Sequence, residues 1–422
     1  MRTKLVTLVL LVVMLLLSVG FVGAQDQPTL SVWIPPVFTE AQRNLLDRWA
    51  AERGVTLEVE VFPIPFEQNL LARWAAGDRP DILYFHAIGN WIVQLNPPAN
   101  LQPLSDEPFV ERTIPGILDK SSSYQGEIYG AVLDYPYLDG VFYNKQLFEQ
   151  YGWEIPTNYE ELVALCEQIK TDAPDVAPIY TGGGAQWPLQ VLPFMLWNDA
   201  IIENDTIAML NRNEVQFTDP AFVDAVQKQK DLQDMGCFNE DLLTATFEGE
   251  QEALMTDQAA MVFQGTWMVG ALLDSYGLEA IDEKVGFFGL STNSNVVSWQ
   301  TTGSAVYAPI TGDAEKEALA REFINWASGE GYQGYLDEAR QFPILEGYES
   351  PEDVPIVMQE ANEAFLANGA PQYQQTLVAT YGAFESYLSE MVSGQITPLE
   401  VMERMSTEFT RSARLLGIPG FE

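Results

Sequence analysis

The feature that most constrains the fold is an alternation of strand and helix patterns near the start of the chain. Residues 30–34 (LSVWI) alternate apolar and polar side chains, and residues 39–42 (TEAQ) form a capping box that predicts a helix start. Residues 55–61 place valine and leucine on one face of a second strand. A helix pattern follows over residues 66–77, and residues 81–85 (DILYF) read as a third strand. Successive strand–helix units predict an α/β domain with a largely parallel sheet.

The rest of the chain continues with helices that strands interrupt. The patterns predict a strand–turn–strand passage over residues 130–144, a capping box at 157–160 (TNYE) and a proline-marked helix start at 219–220 (DP). Two strand regions follow at 285–290 and 296–309. A helix over 313–327 and a last capped helix start at 397–400 (TPLE) complete the pattern. At roughly 150 residues per domain, 422 residues correspond to two or three domains. No long linker separates them, so we expect domains that share segments of the chain.

Residues 1–24 have the pattern of a secretory signal peptide. The basic residues Arg2 and Lys4 precede an apolar stretch over residues 5–19, and residues 22–24 (VGA) offer a cleavage site. That stretch is shorter than the ~20 residues of a membrane span, although an uncleaved anchor is the alternative. We therefore expect export to a periplasmic or extracellular location, associated with the cell surface. No cysteine near the cleavage site supports a lipid anchor.

The chain is strongly acidic but has an ordinary globular composition. It has 21 Lys and Arg against 60 Asp and Glu, a formal charge of −39, while 47% of its residues are hydrophobic. Without residues 1–24 the charge is 19 − 60 = −41. Nucleic acids and anionic membranes are poor partners for such a surface, because both are bound through basic contacts to phosphate.

Scarce histidine and cysteine remove most catalytic chemistry. His86 is the single histidine, so most zinc sites and serine or cysteine nucleophiles activated by histidine are excluded unless they use it. No nucleotide-binding, metalloprotease or hydrolase motif occurs, and we expect no cofactor and no metal. Paired carboxylates are the remaining catalytic option, with little specificity among 60 acids. Cys166 and Cys237 could form a disulfide in an exported protein or lie buried as small apolar residues.

Aromatic residues are more informative than charge. Several lie in polar, turn-like surroundings: Trp91, Trp187, Trp267 and Trp299 each follow or precede Asn, Gln, Thr or Ser. A sugar has apolar C–H faces and ring hydroxyls, so aromatic faces beside amides and carboxylates suit it. Each ring taken singly could equally belong to a core.

Four segments together resemble the extracellular solute-binding proteins of bacterial ABC importers, in the sugar-binding group that includes maltose-binding protein. Residues 77–82 (GDRPDI) are similar to the family's entry into its third strand. The most specific likeness lies in residues 124–130 (YQGEIYG), 143–152 (YNKQLFEQYG) and 156–162 (PTNYEEL). Shorter matches are GTW ending at Trp267 and AREFINW ending at Trp326.

The resemblance implies a periplasmic-binding-protein-like fold of type II, with two α/β lobes, a ligand cleft and a multi-strand hinge around residues 135–140. Residues 25–135 plus 290–330 would form the first lobe, and residues 136–289 plus 331–422 the second. Ligand binding would close the lobes by a hinge motion.

The resemblance also implies substrate-binding positions. Glu67 would be a hydroxyl-binding acid, Phe85 and His86 would end the third strand at the cleft edge, and Asp134 and Tyr135 would lie at the hinge. Trp187 and Trp267 would stack on sugar rings, and the loop aromatics would be Trp299, Phe342 and Tyr381. His86 could alternatively be a histidine with satisfied bonds at the cleft edge. Residues 33–38 (WIPPVF) lack the polar and charged residues that maltose-binding protein has there, so the resemblance does not extend to maltose as ligand.

We therefore expect a non-catalytic, monomeric binding protein that captures a carbohydrate ligand, specifically an oligosaccharide. It would deliver this ligand to the membrane permease subunits of an ABC importer. One alternative is a secreted carbohydrate-active enzyme. Another is a binding protein for a polyol, polyamine or glycerophosphodiester.

Overall fold

A computed structural model describes residues 27–87, 89–300 and 304–422, so the predicted signal peptide over residues 1–24 lies outside the described residues. The strands, in chain order, are β1 (Thr29–Ile34), β2 (Thr56–Val61), β3 (Ile82–Phe85), β4 (Ser123–Tyr124), β5 (Glu127–Ile128), β6 (Gly130–Ala131), β7 (Tyr137–Asn144), β8 (Ala177–Tyr180), β9 (Ala259–Gly265), β10 (Val285–Phe288), β11 (Val297–Gln300), β12 (Ala305–Tyr307) and β13 (Gly369–Pro371).

Helices connect and cover these strands. They are α1 (Glu40–Arg53), α2 (Phe66–Ala76), α3 (Gly89–Ile92), α4 (Pro97–Asn100), α5 (Pro108–Arg112), α6 (Ile117–Ser121), α7 (Lys145–Tyr151), α8 (Tyr159–Asp172), α9 (Val191–Leu196), α10 (Asn198–Asn204), α11 (Thr206–Asn211), α12 (Pro220–Asp234), α13 (Phe247–Met255), α14 (Trp267–Tyr276), α15 (Leu278–Lys284), α16 (Ala314–Ala327), α17 (Tyr332–Ala339), α18 (Ile356–Asn368), α19 (Phe384–Val392) and α20 (Pro398–Leu415). Short 3₁₀ turns occupy Val93–Leu95, Gly183–Ala185, Trp187–Gln190 and Tyr373–Thr376.

The first lobe is built on a sheet of strand order β2-β1-β3-β12-β6. Strands β2, β1 and β3 are parallel, as the strand–helix alternation predicts, and β12 runs antiparallel to both of its neighbours. Helix α1 contacts α16 and α17 and turns Leu45, Leu46 and Trp49 inward. This buried apolar face anchors the helices to the sheet.

The second lobe is built on a sheet of order β13-β11-β7-β9-β8, in which β10 also pairs with β7. Strand β7 is central, antiparallel to β9, β10 and β11. Large aromatic rings form part of the core between this sheet and its helices, and Trp197, Phe217 and Tyr373 are completely buried there. The described residues therefore form two α/β lobes with separate hydrophobic cores.

The two sheets and their hydrophobic clusters divide the chain at positions other than the expected boundaries at 290 and 330. Strand β11 pairs with β7 of the second lobe, whereas β12 pairs with β3 of the first, so the chain has passed from the second lobe to the first when β12 begins. The next crossing comes after Leu345, because helix α17 packs on α1 and its Tyr332 and Tyr335 belong to the first core. The passage from β6 to β7 is the remaining crossing of the described chain.

The helix-start signals were predicted with mixed success. Thr39 with Gln42 and Thr397 with Glu400 form the expected capping boxes. The capping box predicted at Thr157 is wrong, because Asn158 caps α8 and accepts from the backbone N–H of Glu161. Two candidate caps stand side by side there, and the asparagine takes the position.

Cys166 and Cys237 form a disulfide, which resolves the two alternatives for these residues. The bond joins α8 to the segment that follows α12 across 71 residues of sequence. Both cysteines are also completely buried in the second core. In the chain model of disulfide stabilisation, a loop of this length contributes about 4 kcal/mol.

No helix within the described ranges is long and apolar enough to span a membrane.

Candidate functional site

The two lobes face each other across a cavity of about 390 Å³. Both lobes line it, together with the passage from β6 to β7. The first lobe supplies Thr39, Gln42, Tyr335 and Gln341, the passage supplies Asp134 and Tyr137, and the second lobe supplies Thr266, Trp267 and Asp274. Its volume is that of a small-molecule site. A larger groove of about 560 Å³ runs along α20, but only second-lobe residues line it, so it does not lie between the lobes.

The N-terminus of α1 touches the second lobe beside this cavity. The backbone N–H of Glu40 donates to Asp274 Oδ2 at 2.9 Å. A β-carbon at Gly270 would lie 2.7 Å from Thr39 Cγ2, so a larger residue there would displace the Thr39 side chain. Burial and the nearby Glu40 charge raise the pKa of Asp274, although the backbone hydrogen bond opposes them. The lobes are thus in direct polar contact.

Trp267 is the central ring of the site. It begins α14, and its ring centroid lies 5.5 Å from Tyr137 and 5.9 Å from Trp187. Its indole Nε1–H donates to Gln264 Oε1 at 3.0 Å. Trp267 and Trp187 are both partly exposed. Trp267 and Tyr137 line the cavity between the lobes, and Trp187 extends this row of rings beside it. Such a row suits an amphipathic ligand with flat apolar faces.

Trp187 begins a 3₁₀ turn that follows a tightly packed loop. A β-carbon at Gly182 would lie 2.6 Å from the backbone carbon of Thr246, so the loop lies directly against the N-terminus of α13. Gln186 adopts a positive φ of 65°, and its side-chain oxygen accepts from Ser386 at 3.0 Å. This uncommon conformation sets the position of the neighbouring tryptophan.

Asp134, in the segment between β6 and β7, bonds this segment to the first lobe. Its buried carboxylate accepts from Gln42 Nε2 and Gln341 Nε2, each at 3.1 Å, and from the Tyr335 hydroxyl. Burial raises the pKa of Asp134, and these three donors counteract the shift. All three donors come from the first lobe.

Asp139, which lies in β7, bonds the chain to the second lobe. Its fully buried carboxylate accepts from Gln372 at 2.6 Å, Ser298 at 3.3 Å and Gln300 at 3.5 Å. Burial raises the pKa of Asp139 to about 7 despite these hydrogen bonds. The two carboxylates therefore hold the start of β7 to different lobes, with Pro136, which has no backbone N–H, between them.

Glu67 and His86 form a pair on the first-lobe side. His86 Nε2 lies 2.7 Å from Glu67 Oε1, and the Trp91 ring lies 5.1 Å from the imidazole. Burial raises the pKa of Glu67, but the hydrogen bond and charge of His86 outweigh it, so the pKa ends below its ordinary value. The predicted hydroxyl-binding acid is therefore an ionised carboxylate with a histidine partner.

Glu385 lies opposite, on α19 of the second lobe. Burial raises its pKa to about 7, and the charge of Glu67 adds to the shift. The two carboxylates therefore interact electrostatically across the two lobes. Tyr381 is nine-tenths buried just before α19, where its hydroxyl accepts from Gln374.

Four of the predicted positions have other contacts. Phe85 is completely buried and packs on Phe66. The Tyr135 hydroxyl donates to Asn362 at 2.8 Å and its ring packs on Phe342, 5.3 Å away. The ammonium of Lys120, from the first lobe, lies 5.0 Å from the Trp299 ring. Phe85 thus supports the site from the core, and the other three make contacts at the crossing or between lobes.

The structure brings Asp134 and Trp267 to one cavity and Trp187 next to it, and it places Glu67, His86 and Glu385 in a second group. Sequence reasoning missed Gln42, Tyr137, Gln341 and Glu385. Gln42 stands in the capping box and Tyr137 in the aromatic passage before β7, so both lay within patterns that were identified for other reasons. Gln341 and Glu385 have no comparable local signal.

The described part of the chain contains no group of three His, Cys, Asp or Glu side chains that could hold a metal ion.

Two α/β lobes that face each other across a cavity lined in part by aromatic rings have the periplasmic type II binding-protein fold. The sequence profile of the family described as bacterial extracellular solute-binding protein matches residues 35–334, well over half of the chain. The chain belongs to this family.

Relatives with curated descriptions match over part of their length. An uncharacterised ABC transporter extracellular-binding protein of Pyrococcus horikoshii is 28% identical over 249 residues, 58% of this chain and 55% of that protein. The alpha-glucosides-binding periplasmic protein AglE of Rhizobium meliloti is 30% identical over 181 residues, 39% of this chain and 38% of that protein. The chain thus spans about half the length, or less, of these relatives.

Solved structures match over nearly the whole fold. A chitin oligosaccharide binding protein has a TM-score of 0.78 at 23% identity, covering 92% of this chain and 100% of that one. A sugar transporter protein from Bacillus licheniformis in complex with stachyose has a TM-score of 0.71 at 19% identity, covering 92% and 100%. At these identities the likeness establishes the shared fold.

Proposed function

We propose that the protein captures a carbohydrate, an oligosaccharide, between its lobes and delivers it to the permease subunits of an ABC importer. The observation that carries this proposal is the row of Trp187, Trp267 and Tyr137 rings beside the buried polar groups of Asp134 and Gln42. Rings provide faces for C–H surfaces, and carboxylate and amide groups orient hydroxyls.

The named relatives support the ligand class. The Rhizobium relative is described as binding alpha-glucosides, and the solved structures include a chitin oligosaccharide binding protein and a complex with stachyose. Their sugars differ, so they support a carbohydrate without selecting one for this chain.

Location and partners follow from the same proposal. The family name denotes extracellular proteins, and residues 1–24 provide the signal peptide for export. The protein acts as a monomer, binds its ligand without chemical change and presents the closed form to the permease.

A second candidate function rests on the two carboxylates that interact across the lobes. Glycosidases use one carboxyl group with a raised pKa as acid and one ionised carboxylate as partner. Glu385, with a pKa raised to about 7, and Glu67, with a lowered pKa, show this division. The family match favours binding over hydrolysis, and release of reducing ends from an oligosaccharide would reverse that preference.

The test is a thermal-shift panel of mono- and oligosaccharides, polyols, polyamines and glycerophosphodiesters. A ligand present at ~100 times its Kd stabilises the folded state by about 2.7 kcal/mol, so a true ligand raises Tm clearly. We expect an oligosaccharide to give the largest shift. A shift with spermidine or putrescine and with no sugar would contradict the carbohydrate proposal.

A further inference from the structure

A buried carboxylate, Glu250 on α13, lies behind the tryptophan row. Its side chain is completely buried, and each carboxylate oxygen accepts one hydrogen bond at 2.6 Å. Oε1 accepts from the backbone N–H of Gly182, and Oε2 accepts from Gln264 Nε2. Gln264, also completely buried, uses its other amide atom, Oε1, to accept from the indole of Trp267.

We propose that Glu250 is a positioning residue, which fixes Trp267 through Gln264 and the loop of Trp187 through Gly182. The argument rests on the direction of the hydrogen bonds. An ionised carboxylate can only accept, so the amide of Gln264 must turn its NH₂ group toward Glu250. Its oxygen then faces Trp267, where it accepts from an indole N–H that can only donate.

A glutamine at position 250 would reverse this order. The backbone N–H of Gly182 needs an acceptor, so the oxygen of the new amide faces it and its NH₂ group faces Gln264. Gln264 then turns its own oxygen toward position 250 and its NH₂ group toward Trp267. Two donors meet at the indole, and Trp267 loses its partner.

The second bond of Glu250 acts on the other tryptophan. Gly182 begins the packed loop that leads to Gln186 and Trp187, and it lies against the backbone of Thr246 just before α13. One buried side chain thus holds the supports of two rings that come from distant parts of the sequence. Its role in ligand binding rests on the proposed function, whereas its control of Trp267 does not.

Among the described residues, none of the groups that shift the pKa of Glu250 is a cation. The titratable groups on the elements packed around it are Glu248 and Glu252 on α13, Tyr180 on β8, Asp241 on the adjoining loop, and Tyr137, Asp139 and Tyr143 on β7; β9 has none. Burial raises the pKa of Glu250 to about 8, although the Gly182 and Gln264 hydrogen bonds oppose the shift. The hydrogen-bond order described above is therefore that of the ionised form, which dominates above about pH 8. Below that pH, protonation adds a donor on the Gln264 side and reverses the amide as glutamine does.

The experiment observes the indole ¹⁵N–¹H resonances of the ligand-free full chain, with Trp267 assigned by its loss in W267F. In E250Q, we expect the Trp267 resonance to shift away from its hydrogen-bonded position. The double variant E250Q/Q264E should bring it back, because a carboxylate at position 264 can accept both from the amide at position 250 and from Trp267. Trp197, whose indole donates to the Phe222 carbonyl in the same lobe, is the internal control.

Titration of the wild-type protein is the second measurement. The Trp267 resonance should move with a midpoint near the pKa of Glu250, about 8, and E250Q should abolish that movement. An unchanged Trp267 resonance in E250Q, or a double variant as altered as the single one, would overturn the proposal. If E250Q displaces all indole resonances by unfolding, the wild-type titration decides. Because no ligand is present, a negative result leaves the carbohydrate proposal to its own test.

Discussion

The two lobes share a sheet-and-helix plan, buried aromatic rings and ion pairs between elements, but the disulfide belongs to the second lobe. In the first lobe, arginine–carboxylate pairs such as Arg48 with Glu338 and Arg321 with Glu107 link separate elements. In the second lobe, a disulfide joins Cys166 to Cys237, and rings such as Trp197 fill the core. Ion pairs that are partly exposed contribute little, typically ~0–1 kcal/mol, whereas a disulfide across a long loop contributes several.

The two lobes also contribute different groups to the site. The first lobe supplies Glu67 with its histidine partner, and the second lobe supplies Trp187 and Trp267 on packed, hydrogen-bonded supports. An acidic chain has few cations for linking helices by charge, with 21 Lys and Arg against 60 Asp and Glu. The disulfide stabilises the second lobe without using a cation, in addition to ion pairs such as Arg404 with Glu390.

Removal of the disulfide should have the largest effect and should affect the lobes unequally. We expect the Cys166→Ala/Cys237→Ala variant to lose about 4 kcal/mol of unfolding free energy, because the unfolded second lobe gains chain entropy. Urea unfolding followed by hydrogen exchange, with peptides assigned to each lobe, measures this loss. First-lobe peptides, such as those of α1 and β1, are the control. Equal loss of protection in both lobes would show that they unfold as one unit.

Asp139 should make the stability of the second lobe depend on pH. Its pKa rises from 3.8 to about 7 on folding, so its stabilising effect is complete at low pH and is lost as the pH rises through this range. The loss amounts to at most about 1.4 kcal/mol per pH unit. Asp139→Asn should flatten the curve of unfolding free energy against pH. Asp134 shifts in the same direction, so the measure is the difference between variant and wild type.

Glu67, in the first lobe, should give stability the opposite pH dependence to Asp139. Its pKa is lowered on folding, so its stabilising effect is present above its ordinary pKa and is lost as the pH falls. Glu67→Gln should therefore change stability mainly at neutral pH and leave acid conditions unaffected. If both variants change the curve in the same direction, the contrast between the two carboxylates is wrong.

The tryptophan row should show the smallest of these effects, on ligand affinity. Trp187→Ala and Trp267→Ala should each weaken binding by ~1 kcal/mol or more, about fivefold, through lost aromatic contact. Calorimetry with the sugar that gives the largest thermal shift measures this change. Tyr276→Ala, an exposed ring at the far end of α14, is the matched control and should leave affinity unchanged. Unchanged affinity in both tryptophan variants would remove the row from the site.

The local features of the fold could be predicted from the sequence because their causes are local. The strands and helices from residue 29 to residue 85, and the capping boxes at Thr39 and Thr397, follow from periodicity and from side chains three residues apart. The cap at Asn158 was missed because Thr157 beside it offers the same chemistry. Thr157 donates instead to Glu161, through both its backbone N–H and its hydroxyl.

Long-range pairings could not be obtained in this way. Whether Cys166 meets Cys237 depends on the packing of α8 against the segment after α12, and Trp187 meets Trp267 only through the register of β8 and β9. The family resemblance pointed to both tryptophans. It gave no sign of Glu250, whose importance lies in the donor and acceptor directions of its neighbours.

The position of β12 has a consequence for the order in which the protein can be made. This strand lies between β3 and β6 in the first sheet, although it comes from residues 305–307, far behind both of them in the chain. A nascent chain that has emerged only as far as β7 therefore lacks the strand that joins the two parts of its first sheet. The first lobe begins earlier than the second during synthesis but cannot be completed until the central strands of the second lobe have already been produced.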